Sequence, residues 1–301
     1  MSFLYFKLLF LIPALSFCTG GGVNSGQTIQ NGEQVAVIPE LPSRISFAGE
    51  EVPLKYFDVR ESLQREMTVI TYWHSSMILI FQNDNRYRRE IMKILKDEGV
   101  PEDFYYLGIA ESGLQPVSSY AGACGYWQFL AATAKEYGLV VDDEADERYN
   151  IEKSTRAAAA YFKKAYAEFG SWTMAAASYN TGFKNVRYRM DIQSEDNYYD
   201  MQFLEETGRY VFRALAFKIV LSNRETYGFH LDEEDLYKPL EYKEVEVSGP
   251  VANWSDFSRR HNTNFKVLKI YNQWIRANQM DNKAGRKFIV QIPVEGFREG
   301  K

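Results

Sequence analysis

Glu111 stands at the end of an apolar run and directly before small and turn-forming residues, in YYLGIAESGLQPVSSYAGACGYWQF, residues 105–129. The preceding Gly99-Val100-Pro101-Glu102-Asp103 reads as a helix start, with proline in the first turn and acidic residues where the helix dipole is positive. On the helix that follows, Phe104 and Glu111 are seven residues apart, hence only about 20° apart, with Leu107 between them on the same stripe. The glutamate therefore faces an apolar side. Withdrawal from water disfavours the charged carboxylate and raises its pKa, each unit corresponding to about 1.4 kcal/mol. A glutamic acid kept partly protonated near neutral pH can give its proton to a leaving oxygen. The same geometry leaves a second reading open, a glutamate that turns out to water or pairs with a nearby Arg.

Few other groups compete for a chemical role. The two cysteines, Cys18 and Cys124, build neither a disulfide framework nor a metal site, and His74, His230 and His261 share no ligand spacing, so no metal or other cofactor is expected. Cys124 has no histidine close in sequence to activate it and reads as a small buried hydrophobe. The run Asp142, Asp143, Glu144, Asp146, Glu147 reads as a solvated loop in which Asp146 and Arg148 form a structural pair.

The elements that must position Glu111 are helical. Leu63, Met67, Ile70, Trp73, Met77 and Ile80 recur at three- and four-residue steps, and Ile91, Ile94 and Leu95 follow on a second segment. Further helices are expected from Thr155, from Trp172 to Tyr179, and from Arg209 along RYVFRALAFKIVLSN. No strand alternation interrupts this block, so the main domain is expected to be all-α. With 301 residues, 46% of them hydrophobic, the chain can bury a full core. A net charge of −5 leaves no basic surplus for a phosphate backbone, which excludes nucleic acid as the main partner. The 21 tyrosines and 20 phenylalanines suit the apolar faces of sugar rings, although most will be core.

The first residues, MSFLYFKLLFLIPALSF, carry Lys7 ahead of an apolar run of export-signal length rather than membrane-spanning length. The run ends at Cys18 in LSFCTGGG. Leu15 and Ser16 before that cysteine resemble a bacterial lipobox, with Phe17 departing from the small residue preferred there. Residues 1–18 are therefore expected to be a signal with lipidation at Cys18, and residues 19–52, rich in Gly, Ser, Asn and Gln, a flexible tether. A plain cleaved signal is the alternative.

Four segments, AESGLQPVSSYAGACGYWQF, DERYNIEKSTRAAAAYF, FGSWTMAAASYNTG and EETGRYV, resemble in order and spacing the lytic murein transglycosylases of the soluble-lytic-transglycosylase (SLT) family, most of all the membrane-bound D type. The resemblance covers residues 56 to 230. It implies a goose-lysozyme-like helical catalytic domain at 53–235 and cleavage of the bond between N-acetylmuramic acid and N-acetylglucosamine in peptidoglycan strands. It further implies a periplasmic protein anchored by lipid to the outer membrane. By the same resemblance Glu111 is the single catalytic acid and base, while Ser112, Gln128, Phe129, Tyr179, Asn180, Glu206 and Tyr210 are substrate-binding, Glu206 also holding the tyrosines of the cleft. Gly125 matches the glycine of the Gly-Leu-x-Gln-Phe element, with Tyr126 and Trp127 in its variable places, and Ser178 replaces the alanine of Ala-Tyr-Asn. Helix capping at Ser112 and Asn180, a backbone-bonded Gln128 and a surface ion pair at Glu206 are the alternatives.

Ordinary glycosidases use two carboxylates. The sequence offers one in a cleft-like context, so the resemblance implies that the substrate assists: the muramyl acetamido carbonyl steadies the anomeric carbon, and the muramyl 6-hydroxyl attacks to leave a 1,6-anhydro end. A lysozyme-like hydrolase of peptidoglycan or chitin and a non-catalytic wall-binding lipoprotein are the competing readings. The tail, residues 241–296, runs strand, helix, helix, strand and resembles a LysM module, Leu268, Asn272, Ile292 and Pro293 matching best. Its first turn, GPVANWSDF, departs from the module's usual sequence, which puts glycan binding by the tail in question.

Overall fold

The computed structural model describes residues 28–30 and 33–299; the apolar leader and Cys18 lie outside the described residues. Two short ribbons, β1 (Thr28–Gln30) with β2 (Glu33–Val35) and β3 (Ser46–Phe47) with β4 (Glu50–Glu51), precede a helical body. That body comprises α1 (Phe57–Tyr72), α2 (His74–Asp97), α3 (Tyr105–Ser112), α4 (Ala131–Glu136), α5 (Ile151–Phe169), α6 (Trp172–Thr181), α7 (Phe183–Gln193) and α8 (Glu205–Ser222). The architecture is mainly helical, as expected.

Short α3 lies at the centre. An isolated eight-residue helix is marginal in water, and this one is held by packing against α2 and α8. Tyr105 and Leu107 are fully buried, and Phe104 just before them packs on Phe162 of α5 with ring centroids 4.3 Å apart. Gly113, at φ 60°, ends the helix in the left-handed conformation that glycine adopts without strain, so the chain leaves α3 immediately after Glu111 and Ser112.

Two expectations need correction. The periodic stripe from Leu63 to Ile80 is two helices, broken at Trp73 (φ −88°, ψ 53°), whose N–H bonds the Ile70 carbonyl three residues back. Hydrophobic spacing survives such a break because both helices bury the same face. The tether, in its described part from residue 36, is packed on the helices: Phe47 is fully buried with its ring 5.3 Å from Phe104, and Val52 is buried too. Glu50 accepts the N–H groups of Trp172 (2.5 Å) and Thr173 (2.9 Å), placing a carboxylate at the positive end of α6. Polar composition hid a few apolar anchors.

The tail folds as β5 (Tyr242–Val247), α9 (Trp254–Arg260), α10 (Phe265–Tyr271) and β6 (Phe288–Pro293), with β5 and β6 antiparallel from Tyr242 opposite Pro293 to Val247 opposite Phe288. Trp254, Leu268, Ile275, Val290 and Ile292 form its core. Asn272 is fully buried; it donates to the carbonyls of Leu268 (2.9 Å) and Gln291 (2.7 Å) and accepts from Gln291 N–H, locking α10 to β6.

The acidic run is not a solvated loop. Its backbone pairs with the tail, Asp146 N–H to the Trp274 carbonyl and Arg276 N–H to the Glu144 carbonyl, while Ala145 is buried in the tail's core. The Glu144 carboxylate accepts the Asp281 N–H at 2.7 Å, and Asp142 pairs with Arg286 at 2.7 Å. Asp146 and Arg148 do form the expected pair, at 2.7 Å, and both are buried.

Candidate active site

Two cavities meet at Glu111. One, of about 610 Å³, is walled by Val69, Tyr72, Trp73 and Leu79 from α1 and α2, with Ser112 and Val117 opposite. The other, of about 710 Å³, is walled by Gln128, Phe129, Tyr179, Asn180, Glu206 and Tyr210. Ala110, Glu111 and Arg213 line both. A polymer lying through the two would pass the Glu111 carboxyl.

Desolvation is the main reason the Glu111 carboxyl is pushed up to about 7, far above its ordinary 4.5. The Tyr210 hydroxyl donates to Oε1 and works against that rise, the charge of Glu206 adds to it, and Arg213 opposes it. The apolar-side reading of the sequence holds and the solvent-facing one does not. Among the described residues Glu111 forms no ion pair; Arg213 lies 3.6 Å from Glu66 and reaches Glu111 only through its charge.

The surroundings of Glu111 are set by GYWQF. Gly125, at φ 80°, has no room for a side chain, because a Cβ there would lie 1.9 Å from the Arg148 carbonyl oxygen. Trp127 is buried against Gly108 of α3 and donates its indole N–H to Thr155 Oγ1 at 2.9 Å. Ser112 donates to the Tyr126 carbonyl at 2.7 Å, and Tyr179 donates to the Trp127 carbonyl at 2.7 Å. The segment is thereby fixed on both sides of the cleft.

Each expected residue can now be located. Ser112, beside Glu111, lines the first cavity with its proton committed to backbone. Gln128 lines the second; its Nε2 bonds the carbonyls of Gly125 (2.7 Å) and Val117 (3.1 Å), which leaves its amide oxygen to the cavity. Asn180 accepts from Thr207 Oγ1 at 2.6 Å, so its amide nitrogen keeps both protons. Phe129 is buried edge-on beneath Tyr179, with ring centroids 5.7 Å apart.

Tyr210 and Glu206 depart from expectation. Tyr210 lines the second cavity, is 2% exposed and has its hydroxyl engaged by Glu111, which places it to orient the acid. Glu206 is exposed and holds no tyrosine; among the described residues it forms neither a hydrogen bond nor an ion pair, and its carboxylate faces the second cavity. The cleft therefore presents more than one carboxylate. Glu66 is a third at its wall, buried to 1% and held by Arg209 at 2.6 Å and Arg65 at 3.3 Å.

Arg213 and Trp73 went unnoticed in the sequence. Arg213 had a legible signal: Glu206, Tyr210 and Arg213 follow a four-then-three step that sets them on one face of α8. Trp73, half-exposed on the first cavity wall, looked like one more core position of a continuous helix.

Residues 90–202 match the transglycosylase SLT domain, and residues 243–296 match the soluble lytic transglycosylase C-terminal LysM-like domain, in agreement with the quoted motifs. The chain is also similar to the membrane-bound lytic murein transglycosylase D of Escherichia coli strain K12 and to that of Escherichia coli O6:H1. Each is 27% identical over 256 residues, covering 81% of this chain and 54% of the relative. The chain thus spans about half the length of the curated relatives it matches.

Proposed function

We propose that this chain is a peptidoglycan lytic transglycosylase, in which Glu111 first protonates the glycosidic oxygen between N-acetylmuramic acid and N-acetylglucosamine and then takes a proton back. The observation that carries the reading is Glu111 itself, pushed up to about 7 at the junction of two cavities of about 610 and 710 Å³. A carboxyl poised there is protonated in a useful fraction at neutral pH and, once ionised, is a competent base. The SLT and LysM-like domain matches and the name of the relatives, lytic murein transglycosylase, support the same substrate.

The departing bond leaves positive charge on the anomeric carbon. The muramyl acetamido oxygen steadies it from within the substrate, and the free amide oxygen of Gln128 and the amide nitrogen of Asn180 are suited to hold that acetamide. Glu111 then accepts the proton of the muramyl 6-hydroxyl as that oxygen closes on the anomeric carbon. An intramolecular hydroxyl held in place has a large effective concentration over water. Glu66 is already neutralised by arginines and does not act as a second group. Attachment to a periplasmic membrane face through Cys18 completes the proposal.

A second reading rests on Glu206, whose exposed carboxylate shares the cavity with Glu111. There it could activate water, giving a hydrolase with a reducing end. Products from purified sacculi separate the two: anhydro ends for the first, reducing ends for the second, with Glu111→Gln abolishing either.

A further inference from the structure

On the far side of Tyr126 from the cleft, a cavity of about 340 Å³ lies between the helical domain and the LysM-like tail. Its walls come from both: Tyr87, Glu90 and Tyr126 on one side, Tyr242, Gln273 and Gln291 on the other. The volume is at the small end of the ligand-pocket range of about 300–1,000 Å³, room for one ring rather than a chain.

Its polar groups are unusually unspent. Glu90 makes no hydrogen bond or ion pair among the described residues, although burial and the neighbouring charge of Glu152 push its carboxyl up to about 7. A half-buried carboxylate without a partner is costly unless something supplies donors. Tyr271, also in the lining, is 8% exposed and its hydroxyl is buried without a partner. Among the described residues the Gln291 side chain is unengaged, while Gln273 accepts from the Tyr126 hydroxyl at 3.0 Å and donates to the Ile270 carbonyl at 3.4 Å.

Charge narrows the occupant. Arg86, Arg89 and Lys93 at the rim disfavour an ammonium group, and Glu90 disfavours a phosphate or carboxylate. A neutral ring with several hydroxyls satisfies both conditions. Its hydroxyls donate to Glu90, its amide or ring oxygens meet the glutamines and phenols, and its apolar face rests on the tyrosine rings.

We propose that this interdomain cavity is a second saccharide site, taking a single neutral pyranose, of which N-acetylglucosamine is the form present in the wall polymer. The choice of that sugar rests on the peptidoglycan reading. A strand held here and in the cleft would be gripped at two points, and Tyr126 links the two, lining this pocket while its carbonyl accepts from Ser112 of the cleft.

The test uses the full chain carrying Glu111→Gln, crystallised with N-acetylglucosamine and titrated with the same sugar. Electron density between Glu90 and Gln273 is expected, together with a binding step weakened about tenfold or more by Glu90→Leu and by Gln273→Ala, while either substitution made in the chain with Glu111 intact leaves turnover of short soluble glycans within about twofold. Unchanged titration in both folded variants, or sugar confined to the Glu111 cleft, overturns the proposal. If the unsubstituted chain shows no turnover of sacculi, the peptidoglycan reading falls separately, since binding and turnover are read in different experiments.

Discussion

Tyr210 on α8 donates its buried hydroxyl to Oε1 of Glu111 at the end of α3, and this bond links the two helices that form the back of the cleft. It stabilises the charged carboxylate and so holds the Glu111 pKa below the value that burial alone would set. Tyr210→Phe removes that restraint. The alkaline limb of the kcat/KM profile is expected to move to higher pH, because the protonated acid persists further. Loss of orientation should lower kcat about 10- to 100-fold, within the range for general acid–base groups. An unshifted limb contradicts the role given to this bond.

Glu111 also predicts a pH dependence of stability. Its folded pKa of about 7 lies above the ordinary 4.5, so between those values the native state holds a proton that the unfolded chain has released. Stability therefore falls as pH rises through this window and levels off above it. Glu111→Gln removes this contribution. The difference in unfolding free energy between variant and parent should change by on the order of 3 kcal/mol across the window, in favour of the variant at the upper end. Glu90 adds a slope of the same sign in both chains and cancels in the difference. Urea titrations at several pH values measure it.

Glu66 is 1% exposed and ion-paired with Arg65, Arg209 and Arg213. Arg209→Met is expected to destabilise the fold by about 2–3 kcal/mol by leaving that charge short of its nearest partner. Adding Glu66→Gln should recover much of the loss. A single substitution without effect on denaturant midpoint contradicts the arrangement.

Gly125→Ala has a steric outcome. Its Cβ would stand 1.9 Å from the Arg148 carbonyl oxygen at a backbone φ of 80°. The chain is expected to lose several kcal/mol or fail to fold, well beyond the cost of about 1–3 kcal/mol for a strained backbone alone. Thermal unfolding of any soluble fraction reads the effect.

The helical class, the βααβ tail and Glu111 were legible because hydrophobic period and motif order report burial and chain direction. Glu111 could be read from the two turns that follow Phe104: seven residues on, it had to share the buried side. The break at Trp73 was not legible, since Leu63, Met67, Met77 and Ile80 keep one face through it. Nor was the wall that Val69, Trp73 and Leu79 give the first cavity, which lies before the matched SLT domain and depends on how α1 and α2 fold back on α3 and α8. The acidic run misled for a different reason. Composition cannot distinguish carboxylates facing water from carboxylates spent on backbone N–H groups of a later segment, as Glu144 is on Asp281. That the Tyr210 hydroxyl bonds Glu111 rather than Glu206 was not legible either, because a motif fixes residues on a helix face but not which hydroxyl reaches which carboxylate.

The central claim is that one carboxyl, Glu111, both gives and takes the proton while the substrate closes on itself. Mass analysis of the muropeptides released from purified sacculi tests it most directly. The account predicts muramyl ends lighter by one water than reducing ends, and no release by Glu111→Gln. Reducing ends that incorporate solvent oxygen, or release that survives Glu111→Gln, would contradict it.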